Sequence, residues 1–144
     1  MTTTRNAEQQ LRHAVPELLE ERRQLLVDYC KLAGMPHAAD DPHWRRRLAH
    51  FCQLLMDYAS LWQFEIHDLL IKTQDHHRRA VEMLRKHQPA ILAASDQALA
   101  FNDRYEAAAQ GHDWSDFDDR LSRLGEGLAS RFDAEDQVLA ALDP

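Results

Sequence analysis

Nine histidines and 24 acidic side chains in 144 residues make metal chemistry the first possibility to test. A carboxylate-bridged metal site in a helical bundle needs Glu-x-x-His pairs projecting inward from facing helices, and no Glu-x-x-His occurs in this chain. Asp40-x-x-His43 begins in a loop, while His13 with Glu17 and His112 with Asp116 fall at the polar start of the chain and in a turn. His76 and His77 are adjacent, so on a helix they point about 100° apart. The spacing therefore predicts no metal and no cofactor, with the histidines as solvated surface groups; a hemerythrin-like metal-binding bundle is the rival reading. Cys30 and Cys52 lie in helical stretches among apolar neighbours, away from any glycine-rich or electropositive setting, and read as reduced, inert, small hydrophobes. No serine has an elbow-like context, and no glycine-rich phosphate loop is present. The chain gives no support for an enzyme.

The chemistry that remains is recognition, and it centres on Trp44 to Leu70. On a helix of about 100° per residue, Trp44, Leu48, Phe51, Leu55, Tyr58, Trp62, Ile66 and Leu69 fall within roughly 40° of one line. That line is a core-facing stripe. Its opposite side carries Arg46, His50, Gln53, Asp57, Ser60, Phe64 and Asp68, polar except for one phenylalanine. With Leu61 and Leu54 at the margin, Asp57, Phe64 and Asp68 form an aromatic anchor inside an acidic frame, an arrangement that interface hot spots favour. The bland reading stands beside it: one exposed apolar residue is ordinary, and a kink would rotate the ring into the core.

Elements that hold such a face must be helices. Helix-forming residues are abundant, glycines number four, and no stretch alternates as a strand would. Residues 1–13 are polar and expected to fray. Pro16 suits a first helical turn, and Leu18, Leu19, Leu25, Leu26, Tyr29 and Cys30 then recur at helical spacing until Gly34 and Pro36 end the segment. Asp41 before Pro42 reads as an N-cap with proline at the first helical position. The second helix should reach about Lys72, long enough to allow a kink near Ser60 to Phe64. A third segment spans roughly Asp75 to His87, and a fourth runs from Pro89 through Ile91, Leu92, Leu99, Phe101 and Tyr105 toward Gly111; Pro89 either kinks one helix or separates two. Ser115 with Asp118 resembles a capping box before a last stripe of Phe117, Leu121, Leu124, Leu128, Phe132, Val138 or Leu139, and Leu142. Gly125 and Gly127 each cost about 1 kcal/mol in a helix, which suggests either a closely passing neighbour or a site that tolerates weakness. Glu135 lies on the apolar line and needs a partner, either Arg131 one turn earlier or a tyrosine hydroxyl. Four or five such helices predict an all-α, up-and-down bundle in one domain, residues 1–144.

Charge narrows the partner. A net charge of −7 argues against direct nucleic-acid binding and for a basic protein surface. The run Arg45, Arg46, Arg47 reads as a solvated start of the second helix. No apolar run approaches 18 residues and the N-terminus has no apolar signal core, so a cytoplasmic protein without membrane contact is expected.

Against this background the segment FCQLLMDYASLWQFEIHDLL, Phe51 to Leu70, resembles the signature of the regulator-of-sigma-D/AlgQ family of bacterial anti-sigma factors. LSRLGEGLASRFDAEDQVL, Leu121 to Leu139, is similar to that family's closing helix, and ERRQLLVDYCKLAG resembles its first. The family usually reads Ala-Gly-His-Phe where this chain has Leu61, Trp62, Gln63 and Phe64. The resemblance implies an all-helical regulator that binds the C-terminal, promoter-reading region of the primary sigma factor and keeps it from core RNA polymerase and DNA. The positions matching the family's sigma-contacting residues are Asp57 and Phe64, with Leu61 and Asp68 at the edge. An adaptor for a different protein is the second rival.

Overall fold

In the computed structural model, which describes residues 2–36, 40–105 and 114–142, helix α1 spans Thr2–Ala33, α2 Pro42–Leu61, α3 Asp68–Lys72, α4 Arg78–Tyr105 and α5 Phe117–Ala140. A π-helical turn, Trp62–His67, joins α2 to α3, and a 3-10 turn, Gln74–His76, leads into α4. The long helices close a ring in which α1 packs on α2, α2 on α4, α4 on α5 and α5 on α1. The all-α bundle expected from composition is the fold observed. All eight residues of the Trp44-to-Leu69 stripe are buried, and Asp41 caps α2 by accepting the amide N–H of His43 at 2.9 Å.

Several boundaries differ from expectation for identifiable reasons. Where a frayed start was expected, residues 2–13 are helical: α1 begins at Thr2 and buries Ala7, Leu11 and Ala14. Glu8 anchors this first stretch: its carboxylate oxygens lie 2.7 and 3.0 Å from Nε2 of His77, a buried histidine rather than a solvated one. Pro16 and Pro89 both sit inside continuous helices on exposed faces. Neither proline can donate to the helical ladder, and the residues one turn earlier, Arg12 and Arg85, are exposed. Helix α5 begins at Phe117 with Asp116 in the cap position, one residue past Ser115. Leu19, Leu26 and Cys30, expected in the stripe of the first helix, are exposed; Leu18, Leu25 and Leu32 carry that stripe, with Tyr29 half-buried. The expected end of the fourth helix near Gly111, and His112, lie outside the described residues.

Gly125 and Gly127 are sites of close approach. A Cβ at Gly125 would run into the Tyr29 hydroxyl of α1, and one at Gly127 into the Gln97 amide of α4. Both side chains use that proximity: Tyr29 donates to the Leu121 carbonyl at 2.9 Å and Gln97 to the Arg123 carbonyl at 3.1 Å. At one end of the bundle Trp44, Trp114, Phe117, Tyr105 and Phe101 form a ring cluster with centroid separations of 4.8 to 6.1 Å, mostly edge-on or tilted, the geometry aromatic quadrupoles favour.

Burial raises the pKa of all three tyrosines, Tyr29, Tyr58 and Tyr105, and the neighbouring carboxylate of Glu135 raises that of Tyr58 further. Since the unfolded chain releases these protons near about pH 10, the stability they contribute is complete below that pH. It declines as pH rises through the native values. Tyrosinate absorbance of the native protein is expected to lag behind that of the urea-unfolded chain; coincident titration curves would contradict this.

Candidate functional site

Asp57 and Phe64 sit on the outer side of α2 and of the π-helical turn that continues it, while Tyr58, Trp62 and Ile66 point into the core. The ring of Phe64 is 63% exposed, the most exposed large apolar side chain among the described residues. In the π-turn the Asp68 N–H reaches back five residues to the Gln63 carbonyl. The additional residue in the turn leaves Ile66, Leu69 and Leu70 buried beyond it, and Phe64 and Glu65 outside. The allowed break near Ser60 to Phe64 is therefore present, but it does not turn the ring inward. Single π-turns inside α-helices recur at functional sites.

Of the four candidate contact residues, Asp57 is exposed and accepts one hydrogen bond from Gln53 at 2.8 Å, with carboxylate capacity left for a partner. Leu61 is half-buried against the core. Asp68 is partly exposed and engaged at home: Gln63 donates to it at 3.3 Å and its Oδ1 lies 3.1 Å from Nδ1 of His67. Nearby Glu21 of α1 has its carboxyl pKa raised by burial first and then by the charges of Asp57 and Glu17.

Beside Phe64 runs a groove of about 210 Å³ between Met56, Ser60 and Phe64 on one wall and Gln88, Leu92 and Leu99 of α4 on the other. Leu92 is 49% and Leu99 47% exposed, unlike Ile91 and Phe101, with which they share the expected fourth helix. Two lines on α4 account for this. Ala80, Leu84, Ile91, Ala94, Ala98, Phe101 and Tyr105 face inward, whereas Leu92, Asp96, Leu99 and Asp103 recur at four, three and four residues on an outer face. Alternation of leucine and aspartate along that second line is the sequence signal that identifies it.

The groove floor rests on a buried polar network that joins four helices. Arg131, 2% exposed and lining the groove, donates to Glu135 at 2.7 Å and to the Ser95 hydroxyl at 2.9 Å. Ser95 in turn donates to the Ile91 carbonyl at 3.0 Å. Glu135, fully buried, also accepts from the Tyr58 hydroxyl and from Arg22 at 3.2 Å. Arg22 donates further to Tyr58 at 3.1 Å and Asp136 at 2.6 Å, and lies 4.7 Å from the centre of the Phe132 ring. Burial by itself would lower the Arg22 pKa, but Tyr58, Asp136 and Glu135 together outweigh it and hold the guanidinium charged. Both partners anticipated for Glu135, Arg131 and a tyrosine hydroxyl, are present, with Arg22 as a third.

Among the described residues no three His, Cys, Asp or Glu side chains converge as a metal site would require, and no helix is long and apolar enough to cross a membrane.

Comparison with known proteins adds an independent line. The family described as "Regulator of RNA polymerase sigma(70) subunit, Rsd/AlgQ" matches residues 1–143. Among curated proteins, "Regulator of sigma D" of Yersinia enterocolitica is 32% identical over 129 residues, covering 87% of this chain and 77% of that one. The protein of the same name from Yersinia pseudotuberculosis is 31% identical with 76% of its length covered, and that of Pectobacterium atrosepticum 30% with 84%. No solved structure matches the chain.

Proposed function

The chain belongs to the Rsd/AlgQ family of regulators of the RNA polymerase sigma(70) subunit, and from that premise we propose that it is a cytoplasmic anti-sigma protein that binds the C-terminal, promoter-reading region of the primary sigma factor. Binding is stoichiometric, and it withholds that region from both core polymerase and DNA. Neither catalysis nor a cofactor takes part. The observation that carries the reading is the exposed Phe64 ring on the π-turn, one side of α2 away from the core and in line with the free face of Asp57.

A promoter-reading helix-turn-helix carries the lysines and arginines with which it meets DNA phosphate. To such a surface Asp57 offers a charge-assisted hydrogen bond, and Phe64 offers an apolar body to be covered. Desolvating a ring inside a frame of charges is how interface hot spots arise, while the acidic surround accelerates encounter with a basic partner.

Titration of the purified C-terminal sigma fragment by calorimetry tests this. Wild-type protein should form a one-to-one complex whose affinity falls as salt is raised, and Asp57→Ala should weaken it by about 2 kcal/mol. Failure of the fragment to bind would overturn the proposal. Unchanged affinity in Asp57→Ala would remove Asp57 from the interface.

A further inference from the structure

We propose that the partner-binding face extends across the α2–α4 groove onto the outer line of α4, and that its occupant is a basic amphipathic helix that lays its apolar side between Phe64, Leu92 and Leu99. Two observations converge on that occupant. Apolar side chains on both walls, each about half or more exposed, leave uncovered surface that a partner's leucine or aromatic side chain would fill. Acidic groups accompany them on both sides: Asp57 on α2, Asp96 and Asp103 interleaved with the leucines on α4. Arg85, seven residues before Leu92 on the same line, is exposed and marks where the acidic stretch of α4 ends.

Length also fits. Leu92 and Asp103 are 11 residues apart on α4, and at 1.5 Å per residue that is roughly 16 Å, or three turns of a docked helix. A helix in a groove anchors itself through side chains at positions i, i+3 or i+4 and i+7, and the Leu92–Leu99 separation presents the matching period. Nucleic acid is disfavoured by the same aspartates that favour a basic helix. The inference rests on the reading of this protein as a sigma-binding regulator for the identity of the partner, but the groove's chemistry stands apart from it.

Two probes keep the two claims separate. One is the sigma C-terminal fragment. The other is a synthetic helical peptide with leucines along one face and lysines along the other, accompanied by a control with glutamates replacing the lysines. Each is titrated against wild type, Leu92→Ser/Leu99→Ser and Asp96→Asn/Asp103→Asn, following tryptophan fluorescence because Trp62 lines the groove. The altered residues are exposed, so thermal melting should be unchanged and verifies folding of each variant. Expected results are binding of the lysine peptide but not the glutamate peptide, competition between peptide and fragment, and affinity for both reduced about tenfold or more by each double substitution. If the fragment binds while Leu92→Ser/Leu99→Ser leaves both affinities unchanged, the groove is overturned and the sigma reading stands. If the peptide binds in the groove and the fragment does not bind, the groove stands and the sigma reading falls. Failure of both probes overturns both.

Discussion

Glu135→Ala should lower the unfolding free energy by about 3–5 kcal/mol, the largest single effect expected in this chain. Glu135 is fully buried and accepts from Tyr58, Arg22 and Arg131, residues of α2, α1 and α5 respectively. Truncation removes the ion-pair partner of Arg131, itself 2% exposed, and leaves Ser95 as its remaining side-chain acceptor among the described residues. The Tyr58 hydroxyl loses its acceptor at the same time. An uncompensated buried charge costs more than the pair contributes when intact, so the asymmetry predicts an ordering of variants. Glu135→Gln, which keeps the shape and part of the hydrogen bonding, should lose less than Glu135→Ala. Joint replacement of Glu135 and Arg131 by leucine and methionine should recover much of the loss. Urea denaturation of the three variants reads these differences directly. A loss below about 1 kcal/mol in Glu135→Ala would mean that Arg131 finds water or another acceptor.

Phe64→Ala should separate function from folding. The ring is 63% exposed, so its removal should change stability by no more than about 0.5 kcal/mol. Its loss from an anchored interface should cost about 2 kcal/mol or more in binding the sigma fragment, roughly a thirtyfold rise in Kd. The effect should be largely insensitive to salt, in contrast to Asp57→Ala, because an apolar contact is not screened. Most of it should appear in the dissociation rate, since steering by the acidic surround is untouched. A Phe64→Ala protein with wild-type affinity would show that the exposed ring is incidental. A destabilised Phe64→Ala protein would show that the ring packs more firmly than its exposure implies.

Much of this molecule could be read from its residues. The stripe from Trp44 to Leu69 identified both a helix and its buried side, because a period of 3.6 leaves little choice about which face an aromatic-rich line must turn inward. The N-cap at Asp41, the need of Glu135 for partners and the close passage of helices at Gly125 and Gly127 followed from equally local rules. Placing Phe64 among polar residues on the opposite side required only the same projection.

What the tertiary structure alone decided are relations between segments distant in the chain. A polar N-terminus reads as loose until Glu8 is seen to reach His77, 69 residues away. Proline at positions 16 and 89 reads as a boundary until its place on a water-facing side shows that the missing hydrogen bond costs little there. Leu92 and Leu99 share the expected fourth helix with Ile91 and Phe101, and only the packing of α4 between α2 and α5 determines which of its two apolar lines is covered. Periodicity fixes the angle of a side chain about its own helix, whereas burial depends on which neighbours surround that helix, and a single chain of letters carries the first but not the second.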